Sequence, residues 1–340
     1  MKAVVKFAKG SDGVGLRDIP KPVPGDNEVL VKILAAGICA SDIHAILDER
    51  ETVMPVALGH EFVGTVVEAG KNAAGIAVGD TITAMPACYS CGECIYCKSG
   101  EVTLCKQRKS IGSHKNGAMA EYMVCPAKYC FRIPETDEDK IQYAIAEPLA
   151  CVTHAVYEQL DVHPGDWAVV SGPGAIGLLA VQCLAARGAN VVISGLPADR
   201  PRMEKALKLG AQKAVDNVQD LEDFIHKVSP LGADISIDCA GAAPSVDNCL
   251  KVTRTHGHFL IMGVFGKPVT VDLNKIFLKE LIVKASNSST MSSWEIALDL
   301  MARKIVDVRQ VLSTQLPIEE WRKGFDIVID KSAMKVLLIP

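Results

Sequence analysis

No stretch of this sequence stays apolar for long enough to cross a bilayer without a break. The window Trp167 to Ala186 carries no charge over 20 residues, but Ser171-Gly172-Pro173-Gly174 interrupts it near its start. That tetrapeptide suits a buried strand, a tight turn and a buried helix, not one continuous spanning helix. The opening Met-Lys-Ala-Val-Val-Lys-Phe-Ala-Lys-Gly has neither a long apolar stretch nor a cleavage site. No secretory signal is therefore expected, and the chain reads as cytoplasmic. Positive charge is not in excess: the net charge is −4, so no global basic field favours nucleic acid or an anionic membrane. Internal repeats and low-complexity segments are absent, and aromatic residues are scarce at 5%. With 49% hydrophobic and 22% charged residues, the chain is globular with an aliphatic core, neither disordered nor collagen-like. At roughly 150 residues per domain, 340 residues imply two domains.

The texture changes once along the chain. The first 150 residues are rich in Gly, Pro and short β-branched runs such as Glu28-Val-Leu-Val-Lys-Ile-Leu and Phe62-Val-Gly-Thr-Val-Val-Glu, which predicts a β-rich part with irregular loops. After Glu147, strands and helices alternate. Ala168–Ser171, Asn190–Ser194, Ala214–Asp216, Asp234–Asp238 and His258–Gly263 read as strands. Ile176–Arg187, Arg202–Leu209, Leu221–Val228 and Val246–Val252 read as helices. Most of these strands are apolar runs without alternation, the pattern of a parallel sheet covered on both faces. Leu281–Ala285 is the last such strand, and the tail closes with helical stretches and the short strand Val336–Ile339.

What the sequence has in abundance is cysteine: twelve, five of them between Cys88 and Cys105. Without export, clustered cysteines more often bind metal than form disulfides. Cys91, Cys94, Cys97 and Cys105 follow one another at spacings of three, three and eight. Four thiolates complete a tetrahedral zinc and leave no open position, so they describe a closed structural site. Cys88 fits that spacing less well. A nucleic-acid-reading zinc finger is disfavoured, because Glu93 and Glu101 lie inside the loop and its bases gather at one end.

Gly172-Pro173-Gly174-Ala175-Ile176-Gly177 follows a strand and opens a helix. In that setting the first glycine makes the tight turn, the second admits the pyrophosphate and the third lets helix and strand pack closely. The pyrophosphate would rest on the helix N-terminus. NAD sites usually place an acid at the end of the second strand; here that strand reaches Gly195, and no carboxylate occurs until Asp199, with Arg200 and Arg202 close behind. Arg200 could pair with a 2′-phosphate, or the arginines could be solvated charges at a helix start, so NAD and NADP both remain open.

The remaining chemistry lies in Cys39-Ala-Ser41-Asp42-Ile-His44 and Gly59-His60-Glu61. Together with the four-cysteine lobe and the glycine-rich loop, in this order and spacing, the chain resembles the zinc-dependent medium-chain dehydrogenase/reductase superfamily over nearly its whole length. Ala146-Glu147-Pro148-Leu149-Ala150 is similar to the sorbitol and threonine dehydrogenase branch. The resemblance implies an α/β chain: a GroES-like β-rich catalytic domain, residues 1–148 completed by 286–340, and a doubly wound Rossmann domain, residues 149–285, with the active site between them. It implies two zincs per chain and NAD or NADP. It makes Cys39 and His60 catalytic zinc ligands, with Glu61 and Glu147 sharing the remaining protein contact, and Asp42 orienting His60. It adds Met262, Gly263 and Val264 to the coenzyme-binding residues.

By the same resemblance, an alcohol would meet a Lewis-acidic zinc, Ser41 would take its proton, and His44, of a residue type that titrates near neutral pH, would pass that proton towards solvent. Glu147 makes the site more polar than a two-cysteine one, which points to a small-molecule secondary alcohol of the polyol or sugar-derived class. The sorbitol type carries an Arg-Tyr pair where this chain reads Ser286-Asn-Ser-Ser-Thr290, so sorbitol itself is doubtful. Threonine-type amino-alcohol oxidation is the alternative. A catalytically weak NAD(P)H-binding protein would typically lack these ligands. Homodimers or homotetramers, commonly joined through the edge strand near Leu281–Ala285, are also implied.

Overall fold

The computed structural model describes residues 1–340. It divides into two compact units, Met1–Ala150 with Ser289–Ala302 and Leu312–Pro340, and Cys151–Ser288 with Arg303–Val311. The expected division gave all of 286–340 to the first unit; instead Arg303–Val311 packs with the second. There the Gln182 side chain accepts a hydrogen bond from the Asp307 backbone N–H at 2.7 Å. No helix is long and apolar enough to cross a membrane.

The first unit is built on the long strand Glu28–Gly37, whose burial alternates only weakly because both its faces are covered. It pairs antiparallel with Glu61–Ala69, with Tyr122–Pro126 and, at its end, with the C-terminal strand Lys335–Ile339. Leu312–Pro317, a strand the sequence pattern did not reveal, extends the sheet beyond Lys335–Ile339 in parallel. Thr81–Ala84 and Cys130–Arg132 extend the other side. A smaller three-stranded sheet joins Val14–Asp18, Lys2–Lys6 and Val56–Ala57. The core is aliphatic, with Val29, Val31, Ile82, Leu58 and Leu338 almost fully buried.

The second unit is a six-stranded, all-parallel sheet in the order Ala211–Val215, Asn190–Ser194, Trp167–Ser171, Ala233–Asp238, Thr253–Ile261, Ile282–Ala285. The first strand in sequence lies at the centre and the chain winds outwards in both directions, so the strand order reverses beside Ser171, where such sheets bind ligands. The helix Ala175–Ala186 buries every residue from Gly177 to Leu184, which explains its charge-free sequence. Ile282–Ala285 closes the sheet as an edge strand with all four residues exposed.

Trp294 is the largest side chain wholly removed from solvent. It stacks on Phe131 at 5.2 Å between ring centroids and donates from Nε1 to the Ser289 hydroxyl at 3.0 Å. Trp294→Ala is expected to lower stability by about 3–5 kcal/mol, read from the denaturant midpoint of the transition reported by this unit.

Candidate metal centres and coenzyme site

The strand Glu28–Gly37 hands the chain through Ile38 to Cys39, which caps the helix Ala40–Ile46. Asp42 fixes this junction: its Oδ2 accepts from the Cys39 N–H at 2.9 Å, and its own N–H donates to the Cys39 carbonyl at 3.0 Å. Its other oxygen faces His60 Nδ1 at 3.7 Å, an ionic contact rather than a hydrogen bond. Burial alone would raise the Asp42 carboxyl, but His60 and the Cys39 N–H outweigh it and hold it below its ordinary value. Burial likewise opposes a charged His60, and Asp42 and Cys39 outweigh that, raising the imidazole well above its usual range. Binding a metal at this ring would therefore displace a proton.

Gly59 positions His60 by adopting φ 90°, and a Cβ there would lie 2.6 Å from Met119 Cγ. Glu61 opens the next strand opposite Gly37. A Cβ on Gly37 would sit 2.2 Å from Glu61 Oε2, so only glycine leaves room for this carboxylate. As a result, ligand atoms of Cys39, His60 and Glu61 lie within 4.8 Å of one another. Glu147 begins the helix Ala146–Thr153, is 6% exposed and falls outside that group of three.

Two partners were not picked out from the sequence. Lys335, 5% exposed, donates to both oxygens of Glu61, at 2.6 and 2.9 Å. Its one sequence signal is a lysine opening the otherwise apolar strand Lys335-Val-Leu-Leu-Ile. Burial works against its charge, but Glu61, Cys39 and Glu147 raise its pKa. Glu49 lies 2.6 Å from His44 Nδ1, with both side chains partly exposed. The Ser41 hydroxyl is buried with no hydrogen-bond partner within the protein.

The cysteine lobe forms a second cluster. Cys91, Cys94, Cys97 and Cys105 gather their sulfurs, all as free thiols. Cys91 Sγ lies 3.8 Å from Cys97 Sγ and 3.6 Å from Cys105 Sγ. Four sulfurs at about 2.3 Å from a tetrahedral zinc would be about 3.8 Å apart, so the donor set fits that ion. Backbone N–H groups of Cys94 and Glu93 lower the Cys91 thiol to about 6. Cys88 lies outside the cluster and packs on the core.

In the second unit Gly172 takes φ 108°, and a Cβ there would meet the Ala240 nitrogen at 2.9 Å. Gly174 faces open space, while a Cβ on Gly177 would lie 2.0 Å from the Gly172 carbonyl oxygen. Pro173 is wedged against Gly195. Ser245 donates to the buried Asp238 carboxylate and accepts from the Ser171 hydroxyl, and the Asp238 carbonyl accepts from the N–H groups of Met262 and Gly263, each at 2.9 Å. Val264 is exposed. Arg200 pairs with Asp216 at 2.5 Å, and Asp199 accepts from the Leu196 N–H at 3.1 Å.

Residues 25–135 match the family model of the alcohol dehydrogenase GroES-like domain, and 175–303 that of the zinc-binding dehydrogenases. The chain is 35% identical to a sorbitol dehydrogenase of Halalkalibacterium halodurans, over 100% of this chain and 99% of that relative. The chain belongs to the zinc-binding medium-chain dehydrogenase family. It is also 36% identical to a D-arabitol-phosphate dehydrogenase of Enterococcus avium, over 99% of this chain and 97% of that one. Among solved structures it matches a protein described as a zinc-binding dehydrogenase of Sinorhizobium meliloti 1021 bound to NADP, with TM-score 0.89, 34% identity, and coverage of 100% and 99%. As a member of this dehydrogenase family it is an alcohol oxidoreductase that depends on zinc and NAD(P), with a GroES-like part and a Rossmann-type parallel sheet.

Cys97→Ser is expected to remove one of two zinc equivalents, measured by elemental mass spectrometry, and to make the lobe around it sensitive to protease. Gly177→Ala is expected to weaken NAD(P)H binding at least about tenfold through the clash with Gly172, measured by coenzyme fluorescence titration with the metal content unchanged.

Proposed function

We propose that this chain oxidises a secondary alcohol of the polyol or sugar-alcohol class, or reduces the corresponding ketone, at the Cys39–His60 centre. The observation that carries the proposal is the orphaned Ser41 hydroxyl two residues from Cys39. It is a buried donor and acceptor with nothing in the protein to bind, beside a cysteine and a histidine arranged to hold a metal. Bound zinc supplies Lewis acidity towards the substrate hydroxyl, and bound nicotinamide accepts or delivers the hydride. Cys39, His60 and one of Glu61 and Glu147 would hold the metal. Asp42 fixes the Cys39 backbone and biases the His60 ring. Ser41 receives the substrate's proton at its Oγ. His44 lies three residues on, on the same face of the helix, and relays that proton outwards while Glu49 steadies its ring.

The polyol reading is supported by the relatives named for sorbitol and D-arabitol phosphate. Within residues 286–290, the Ser289 hydroxyl is already engaged by Trp294. Gly172 to Gly177, Gly195, Arg200 and Met262 to Val264 would hold the coenzyme. We further propose a homodimer or homotetramer joined through the exposed edge strand Ile282–Ala285, and a cytoplasmic location, in keeping with twelve free thiols.

The test is a screen of the zinc-loaded protein against alditols, alditol phosphates, aldonates, threonine and butanediol, with NAD and NADP in parallel. Metal-dependent turnover of alditols or their phosphates is expected, with Ser41→Ala lowering kcat by about 10²–10⁴. Selective turnover of threonine would move the reading to amino alcohols. Failure on every alcohol and ketone would overturn it.

A further inference from the structure

Among the cysteines outside the two candidate metal clusters, Cys125 and Cys130 stand apart because their sulfurs touch. Sγ lies 3.4 Å from Sγ, closer than Cys91 Sγ is to Cys97 or Cys105. The strand Tyr122–Pro126 carries Cys125 opposite Val29 of Glu28–Gly37, and Cys130 opens the strand Cys130–Arg132 opposite Ala84. Between the two strands lies one tight turn, Ala127–Tyr129, entered from Pro126. No third metal-ligating group joins the pair, so it has no donor set for a zinc of its own. Two thiols in contact without further ligands are placed to bond to each other.

The two sulfurs are not equivalent. Cys125 is fully buried, whereas Cys130 is partly exposed and donates to the Pro126 carbonyl at 3.4 Å. The neighbouring Cys130 sulfur and burial push the Cys125 thiol well above its ordinary range, so it stays protonated until its partner has reacted. A reachable cysteine backed by a second at contact distance is the arrangement of a redox-reactive dithiol. We propose that Cys130 and Cys125 form a hydroperoxide-reactive pair that closes reversibly to a disulfide, a modification site separate from the dehydrogenase chemistry. With hydrogen peroxide, the Cys130 sulfur attacks one oxygen, the O–O bond breaks, and the other oxygen leaves as water with the thiol proton. Cys130 is then a sulfenic acid. The Cys125 sulfur attacks it, the S–S bond forms, the S–O bond breaks, and the hydroxyl leaves with the Cys125 proton as a second water. The two thiols lose two electrons and the peroxide gains them. Closure draws the sulfurs from 3.4 Å to about 2.05 Å, and it uses no ligand of either candidate zinc cluster.

The experiment titrates full-length, zinc-loaded protein with hydrogen peroxide and maps its peptides without reduction. The expected result is a peptide pair joined through Cys125 and Cys130, lighter by about 2 Da for the two hydrogens lost. Two titratable thiols should disappear, zinc content should hold, and a dithiol reductant should reverse the change. Cys125→Ser removes the resolving sulfur and should leave on Cys130 a sulfenic acid that dimedone labels. Cys130→Ser should abolish the thiol loss. Oxidation of Cys39 or of the four-cysteine sulfurs, with zinc release, before the cross-link appears would overturn the inference. So would the absence of the dimedone label in folded Cys125→Ser. Thiol loss in Cys130→Ser equal to that of wild type would also overturn it, and this variant decides the matter if Cys125→Ser does not fold.

Discussion

The ion pair between Glu61 and Lys335 ties the C-terminal strand to the strand that follows His60, around the candidate metal centre. Glu61 opens a strand that lies against Glu28–Gly37 on one side, and Lys335 opens the strand that lies against it on the other. Two opposite charges removed from water must stay in register, because either one alone would be an uncompensated buried ion. A slip of one residue in the C-terminal strand would turn Lys335 to the opposite face and strand Glu61. The pair therefore fixes how the last strand seats, and with it the wall beside Cys39.

Steric constraint plays the corresponding part in the second unit. Gly172, Gly177 and Gly263 each occupy a place where a Cβ would lie under 3 Å from backbone. These contacts bring the ends of the strands Trp167–Ser171 and Ala233–Asp238 and the start of the helix Ala175–Ala186 within one turn of each other. Asp238 holds the arrangement from below through Ser245 and the loop nitrogens, and burial pushes its carboxyl up despite those donors. Of the three glycines in the loop Gly172 to Gly177, Gly174 alone faces open space, where a pyrophosphate would approach the helix N-terminus.

Most of the architecture was legible because its signals are local. The parallel sheet showed itself in apolar runs ending at glycines, and the cysteine lobe in spacing alone. The strand Leu312–Pro317 stayed hidden: Leu-Ser-Thr-Gln-Leu-Pro is polar, and it becomes a strand only because Lys335–Ile339 offers it an edge. Arg303–Val311 was misassigned for a related reason, since its attachment rests on Gln182, more than a hundred residues away. Glu49 and Lys335 carry no motif. Each acts through a residue that does, and charged residues are ordinarily read as solvated surface.

The two candidate metal clusters differ in the same way, and the difference bears on how each responds to damage elsewhere. The four-cysteine cluster is contained in residues 91–105 and is shaped by its own backbone, with the Cys94 and Cys91 N–H groups donating to sulfur at 3.4 and 3.5 Å. Its geometry needs little from the rest of the unit. The Cys39–His60 centre draws on residues 37 to 61 and on Lys335, and its glycines, capping carboxylate and ammonium all lie on separate elements. Packing faults anywhere along those strands reach it. A chain that loses core packing should therefore loosen the Cys39–His60 centre before the four-cysteine cluster, because only the former needs the sheet to hold its ligands in place.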